Sequence, residues 1–307
     1  MQSYINNSNN QTTLLKKQWA KYVSKGIALS LMHYNSDSPL FKSYKNTSYC
    51  ADLLMTNEIG AINATYCKNR WCGICNRIKT ARLINNYLPQ IEQLQQPVFV
   101  TLTMPTCLGE DLKKQIQTME NAWRIIYKLS KKAKYKKTYS PLKGIRKAEC
   151  TIRPNKLYHY HFHFILNDWS QGEWVIFQWL KYIPTAQPIA QHIRFADEFS
   201  HRELFKYAFK SEVKTSNKTN ATRYDLVFKT LRNKRTIQSF GLTSIDEDFT
   251  DEDLHNPIIL EGMANSIFKW CQNDWYDKNT GLALIGKEIP NRVKELVSYP
   301  ETNTLQT

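Results

Sequence analysis

The sequence predicts an α+β fold in which helices flank an antiparallel sheet and a cysteine-rich module precedes that sheet. Between residues 97 and 212, segments with strand and helix patterns follow one another as strand, helix, strand, strand, helix, helix. Two strand segments, 143–154 and 157–166, are adjacent and can pair as a hairpin. Four cysteines lie between residues 50 and 75. This order of elements suits an α+β domain with an antiparallel sheet.

The first elements follow from apolar spacing and composition. Residues 13–34 mix apolar and basic side chains and are predicted to be helical. The segment 77–94 carries apolar residues at helical spacing, and Pro97 ends it. Residues 97–105 are rich in β-branched and aromatic residues between two prolines, which is typical of a buried strand. Helical spacing returns over 110–134.

The later elements are shorter. The two adjacent strand segments are joined at Pro154-Asn155, a plausible turn. Helices are predicted over 173–183, 201–212 and 225–235. The polar residues 214–222 are expected to form a flexible loop, and the acidic run 246–253 is interpreted as a linker.

These elements predict four consecutive segments along the chain. They are an N-terminal arm and helix at 1–45, a cysteine-cluster module with a helix at 46–95, a sheet domain at 96–245, and an acidic linker with a C-terminal segment at 246–307.

The charge of the chain predicts a polyanionic partner. Its 307 residues carry a net charge of +15 at pH 7, and each phosphate that a protein neutralises releases condensed counterions. Charge alone does not separate this prediction from a ribosome-associated protein or a merely soluble basic protein. The polar N-terminus lacks the apolar core of a secretion signal, and no apolar run reaches membrane-spanning length. We therefore expect a cytoplasmic protein with no membrane partner, whose clustered cysteines bind metal.

Three of the seven histidines, His159, His161 and His163, alternate along the predicted strand 157–166. Alternate side chains of a strand share one face, so two neighbouring imidazoles can converge on a metal ion. Glu149, on the preceding strand, can complete a mixed site for Mg²⁺ or Mn²⁺ with open positions for phosphate oxygens and water. The alternatives are a polar solvent face for the histidines and a simple ion pair for Glu149.

The segment 201–212 carries a candidate nucleophile. On the predicted helix, Glu203, Tyr207 and Lys210 share one face, because they are spaced by four and three residues. A tyrosine hydroxyl with its ordinary pKa of about 10 needs a positive environment or a base to attack phosphorus. Lys210 and a metal ion can supply the first, and Glu203 the second. The chain has 17 tyrosines, and this setting distinguishes Tyr207 only modestly.

The cysteine cluster predicts a structural zinc site, with free thiols as the alternative. Its four thiolates would come from Cys50, Cys67, Cys72 and Cys75, of which the last two form a C-x2-C pair. Basic residues lie between the cysteines of the cluster, so the cluster could also bind phosphate. The remaining cysteines are expected to be buried packing residues, namely Cys107, Cys150 and Cys271.

A strongly basic run covers residues 128–147, with nine lysines or arginines and no acidic residue. Tyr127, Tyr135 and Tyr139 are interleaved with it. The run could bind DNA by charge and stacking, or it could be a solvated loop.

Taken together, these motifs resemble those of the HUH endonucleases, named for a His–hydrophobic–His pair, and most closely the replication initiators of small rolling-circle plasmids. The resemblance spans roughly residues 45–245. It rests on five segments, which are 67–75, 99–105, 148–166, 203–210 and 229–241. As in initiators, the histidines precede the tyrosine. A subgroup has a single tyrosine with a glutamate four residues earlier, the spacing of Glu203 and Tyr207.

The resemblance implies a function and a set of site residues. His161, His163 and Glu149 would hold Mg²⁺ or Mn²⁺, with His159–His161 as the alternative histidine pair. Tyr207 would nick one strand of plasmid origin DNA and form a 5′-phosphotyrosine, leaving a 3′-hydroxyl for a host polymerase working with a host helicase. Glu203 would later activate water to release the protein. The competing hypotheses are an HUH transposase and a non-catalytic zinc protein that binds nucleic acid.

Overall fold

A computed structural model of the chain describes residues 8–132, 141–205, 209–211, 214–215, 217–243, 258–260 and 262–297. The helices in these ranges are α1 (Ser8–Tyr34), α2 (Phe41–Ser48), α3 (Gly73–Glu92), α4 (Gly109–Ser130), α5 (Trp169–Tyr182), α6 (Glu198–Phe205), α7 (Lys218–Leu231) and α8 (Asn291–Lys294), with a 3₁₀ turn at Pro188–Ala190. The strands are β1 (Leu53–Thr56), β2 (Ile62–Ala64), β3 (Val98–Thr103), β4 (Gly144–Ile152), β5 (Tyr158–Leu166), β6 (His192–Phe195), β7 (Phe209–Ser211), β8 (Ile237–Phe240), β9 (Ile267–Cys271) and β10 (Asp274–Asp277).

The strands form two sheets. A four-stranded antiparallel sheet has the order β10-β9-β1-β2. The larger sheet has the order β6-β3-β5-β4-β7, and β8 also pairs with β4. Its pairings are antiparallel except that between β7 and β4. Strands β8 and β7 follow one another along the same edge of β4, at Gly144–Lys147 and Cys150–Ile152. The predicted α+β class is therefore confirmed. The predicted antiparallel sheet corresponds to the larger sheet, to which β7 adds a parallel pairing.

The chain forms two compact units, and the first contains the smaller sheet. This unit combines residues up to 81 with residues 214–225 and the C-terminal residues from 248. Its core gathers the cysteine cluster with Leu14 of α1, Phe268 of β9 and Trp275 of β10. The Trp275 indole donates to the carbonyl of Ala51 over 2.8 Å. The C-terminal strands thus complete a sheet that the segment after α2 begins.

The second unit, residues 82–213 and 226–247, contains the larger sheet. One face of this sheet packs against the second half of α3 and against Leu204 and Phe205 of α6. The opposite face packs against α4 and α5 through aromatic pairs, Trp123 with Phe164 and Trp179 with Phe162. All nine residues of β4 and eight of nine in β5 are buried. The site-bearing strands therefore lie in the middle of a three-layer arrangement.

Most of the predicted elements are confirmed, with boundaries shifted by a few residues. The hairpin turn is present, with Asn155 and Lys156 at positive φ of 55° and 60°. No helix in the described part of the chain is long and apolar enough to cross a membrane.

Two local predictions in the second half of the chain are wrong. The helix predicted over 201–212 ends at Phe205, and residues 209–211 form strand β7. Backbone pairing with the edge of β4 competes with helix formation in this segment, and apolar spacing over so few residues does not separate the two. The loop predicted at 214–222 is helical from Lys218, where α7 begins.

Candidate active site and cysteine cluster

The strand register brings the predicted metal ligands onto one face of the larger sheet. Glu149 of β4 lies directly opposite His161 of β5, and Lys147 lies opposite His163. On the other side of β5, Thr101 and Thr103 of β3 face His163 and His161. Because side chains alternate along a strand, all of these residues point to the same face.

Glu149, His161 and His163 form a compact group. Their candidate ligand atoms all lie within 4.8 Å of one another. The Nε2 atom of His161 is 3.8 Å from Oε1 of Glu149. The three residues are 2%, 7% and 9% exposed, respectively. Buried ionisable groups gathered so closely favour a cation between them.

The contacts of the two histidines fix their ring orientations. The Thr101 hydroxyl and Nδ1 of His163 are 3.0 Å apart, and Phe99 stacks on the His163 ring with 5.2 Å between centroids. Nδ1 of His161 lies 3.4 Å from the carbonyl of His159, to which it can donate. When Nδ1 donates its hydrogen to such an oxygen, Nε2 presents its lone pair and can bind a metal.

His159 has a different environment from its two neighbours. Its Nε2 lies 2.5 Å from the Thr103 hydroxyl, and Arg153 approaches its Nδ1 at 3.5 Å. Burial, together with nearby His161 and Arg153, lowers the pKa of His159 to about 4. Among the described residues, the groups with metal-ligand geometry include His161 and His163 but not His159.

Lys147 is a site residue that the sequence interpretation missed. Its side chain is fully buried, at 0% exposure. Nζ donates to Oε2 of Glu149 over 2.7 Å and to the backbone carbonyl of Glu203 over 2.8 Å. One signal could have found it, because Lys147 precedes Glu149 by two positions on a strand and must share its face.

The structure describes two of the three residues of the predicted tyrosine motif. Glu203 lies half-buried in the last turn of α6. Tyr207 lies outside the described residues. The backbone of Lys210 belongs to β7, opposite Thr151 of β4. The prediction that Lys210 continues the same helix as Glu203 is therefore wrong.

The donor set of the histidine group fits a divalent cation with oxygen and nitrogen preferences. Two imidazoles and one carboxylate would hold Mg²⁺ or Mn²⁺ and leave coordination positions for other oxygens. Lys147 holds the second oxygen of Glu149 and thereby orients the carboxylate, as outer-shell partners of metal ligands do.

The four clustered cysteines also have metal-site geometry. Their sulfurs lie within 4.8 Å of one another, and Cys75 is 3.5 Å from Cys50 and 3.6 Å from Cys67. A tetrahedral zinc ion about 2.3 Å from each sulfur requires sulfur–sulfur distances of roughly 3.8 Å. Cys72 and Cys75 lie next to and within the first turn of α3, so local helix geometry brings their sulfurs together. The arrangement fits a zinc ion.

The thiols strongly perturb one another. Hydrogen bonds from neighbouring thiols, Cys50 first, lower the pKa of Cys67. The same network raises the pKa of Cys75, again through Cys50 first. A metal ion at this position would be bound by thiolates, because the ion stabilises the negative charge of deprotonated sulfurs.

The remaining cysteines and the basic run depart in part from expectation. Cys150 is buried and Cys107 half-buried, but Cys271 is exposed, so its assignment as a buried packing residue is wrong.

Within the basic run, Arg146 is 2% exposed and pairs with Glu120 at 2.9 Å. Like Lys147, it is unable to contact DNA from this position. Residues 133–140 of the run, with Tyr135 and Tyr139, lie outside the described residues.

Comparison with known proteins relates the chain to replication proteins. Residues 60–171 match the family model described as Replication protein. The chain is 28% identical over 138 residues to Protein rep of Lentilactobacillus hilgardii, covering 41% of this chain and 42% of the relative. It is 29% identical over 154 residues to Protein rep of Staphylococcus aureus, covering 48% of this chain and 62% of the relative. The chain thus spans between about two and three fifths of these relatives' lengths. No solved structure matches it.

The family match covers one part of the predicted site. Its range contains three of the clustered cysteines, strand β3 and the whole β4–β5 hairpin with Glu149 and both grouped histidines. Glu203, Tyr207 and Lys210 lie beyond its end. The similarity to the Replication protein family model therefore rests on the cysteine-rich and histidine-bearing segments.

Proposed function

We propose that the chain is a rolling-circle replication initiator that nicks one strand of plasmid origin DNA and joins itself to that strand through Tyr207. The observation that carries the proposal is the buried group of Glu149, His161 and His163, which lies inside the segment that matches replication proteins. The excess of basic residues supports a nucleic-acid substrate.

The proposed chemistry divides between the two motifs. Glu149, His161 and His163 would hold Mg²⁺ or Mn²⁺, which when bound polarises the scissile phosphate and neutralises developing charge. The Tyr207 oxygen attacks phosphorus in line, so that a 5′-phosphotyrosine forms and the 3′-oxygen leaves as a hydroxyl. In the terminating reaction, Glu203 accepts a proton from the water that cleaves the regenerated site. Lys210 favours the ionised form of the tyrosine.

The segments around Tyr207 support its assignment as the nucleophile. On the N-terminal side, Lys147 ties the Glu203 carbonyl to the Glu149 carboxylate. On the C-terminal side, Phe209 pairs with Cys150, the residue after Glu149. The described chain on both sides of Tyr207 is therefore attached next to the metal-ligand group.

The cysteine cluster contributes structure in this proposal, not catalysis. A zinc ion on Cys50, Cys67, Cys72 and Cys75 would stabilise the core of the first unit. The 3′-hydroxyl is the primer for a host polymerase, and a host helicase would open the duplex. An HUH transposase would make the same nick, and the match to replication proteins favours an initiator. The hypothesis of a non-catalytic zinc protein gives the buried group of Glu149, His161 and His163 no role.

The test is formation of a covalent adduct. The full chain is incubated with a single-stranded origin oligonucleotide and Mn²⁺, and protein–DNA adducts are separated on a denaturing gel. We expect an adduct with the wild type and with Tyr49→Phe, a matched control at a tyrosine that is 59% exposed. Tyr207→Phe should give none. An adduct that persists in Tyr207→Phe would move the nucleophile to another residue.

A further inference from the structure

The C-terminal end of α6 has an unusual partner for its backbone. The last four carbonyls of a helix have no amide partner within the helix, and Glu203 contributes one of these in α6. Nζ of Lys147 donates to this carbonyl over 2.8 Å. A cation at a helix C-terminus is favoured both by this hydrogen bond and by the helix dipole. Lys147 therefore acts as a cap supplied from the neighbouring strand β4.

The same ammonium group also contacts the metal-ligand group. It donates to Oε2 of Glu149 over 2.7 Å, while Oε1 of that carboxylate faces His161. Lys147 is 0% exposed and Glu149 is 2% exposed. A buried lysine must keep its charge compensated, so both contacts constrain where α6 can lie relative to the carboxylate.

We propose that Lys147 is a positioning residue that fixes the C-terminal end of α6, the helix that precedes Tyr207 in the sequence, to the metal ligand Glu149. This inference rests on the proposed function, because the consequence of the link is catalytic. It adds a residue to the site that neither the histidine motif nor the tyrosine motif contains. Loss of the link should slow adduct formation even when the metal site is saturated.

The neighbouring residue on β4 provides a matched control. Arg146 is also a buried cation, 2% exposed, and it pairs with Glu120 at 2.9 Å. Because side chains alternate along the strand, Arg146 points to the opposite face of the sheet. Arg146→Met and Lys147→Met each remove one buried charge from the same strand, but only the second removes the link to α6.

The first measurement is amide hydrogen exchange of the full chain without DNA. In Lys147→Met, we expect amides of residues 204–211 to exchange at least about 10-fold faster than in the wild type, since the helix end loses its cap. Arg146→Met should leave those rates unchanged. In the wild type, Mn²⁺ should slow exchange of the same amides, a readout that does not depend on whether the variant folds. The positioning role is refuted if these amides exchange at the same rate in the wild type and in a folded Lys147→Met. It is also refuted if bound Mn²⁺ does not change their exchange rates in the wild type.

The second measurement separates the link from simple support of the metal. Mn²⁺ binding is measured by titration calorimetry, and the adduct rate is measured at saturating Mn²⁺. We expect Lys147→Met to form adduct on the order of 10–100-fold more slowly at saturation, a range typical of lost outer-shell partners. Recovery of the full rate at high Mn²⁺ would assign Lys147 to metal binding alone and refute the positioning role. If the wild type forms no adduct, the proposed function fails. The hydrogen-exchange experiment still tests whether Lys147 connects the end of α6 to Glu149.

Discussion

Replacement of Glu149 distinguishes a metal ligand from an ion-pair partner. In Glu149→Ala, the ammonium of Lys147 stays fully buried and loses its carboxylate. Removing one member of a buried pair costs about 3–5 kcal/mol, which is a large fraction of the roughly 5–15 kcal/mol that stabilises a typical fold. Glu149→Gln keeps an oxygen that can accept from Nζ, so we expect a smaller loss, about 1–2 kcal/mol.

The two variants should behave alike toward the metal. Both lack a charged oxygen beside His161, so we expect Mn²⁺ affinity to fall by at least about 100-fold, more than is usual for an outer-shell change. In the wild type, Mn²⁺ at 100 times its dissociation constant should raise the free energy of unfolding by about 2.7 kcal/mol. Neither variant should gain this stabilisation.

Urea unfolding with and without Mn²⁺, combined with titration calorimetry, measures both effects. Free energies of unfolding are compared only between proteins for which the slope of this free energy against urea concentration is the same. If Glu149→Gln binds Mn²⁺ as tightly as the wild type, Glu149 serves only as the partner of Lys147. The metal site would then need another third ligand.

Two further outcomes are expected from the site geometry. Cys75→Ser should lower the zinc content of purified protein and change the fluorescence of the tryptophans that share the cysteine core; exposed Cys271→Ser is the control, and unchanged zinc in Cys75→Ser would exclude the four-thiolate site. Glu203→Ala should preserve the first nick, because its contact to Lys147 uses the backbone carbonyl, and it should impair release of the adduct. Equal loss of both reactions in a gel assay would make Glu203 a positioning residue.

The histidine strand shows what local pattern can determine. Alternation at His159, His161 and His163 was sufficient to predict a common face, because the side-chain period of a strand is set by its backbone. The hairpin with Glu149 followed from a short turn between two apolar strands, and the strand register places Glu149 opposite His161. The cysteine spacing likewise predicted a sulfur group that the structure brings within 4.8 Å.

Partners distant in sequence were not predictable in this way. Strand β9 pairs with β1 across more than 200 residues, and β10 pairs with β9. Nothing in the local composition of β9 identifies β1 as its neighbour. The same holds for β7, which joins the edge of β4 where a helix was predicted. Pairing partners depend on which sheet edges remain open, and that is a property of the assembled fold.

Chain chemistry alone predicted the two candidate ligand sets, the strands that carry the histidines, and a polyanionic partner, since each prediction follows from residue type, charge and short-range spacing. Tertiary structure decided that Lys147 is buried between Glu149 and Glu203, that His163 and not His159 has metal-ligand geometry with Glu149 and His161, and that the C-terminal strands complete the cysteine core. These outcomes depend on contacts between elements far apart in the chain, where burial and register select among side chains that are locally equivalent.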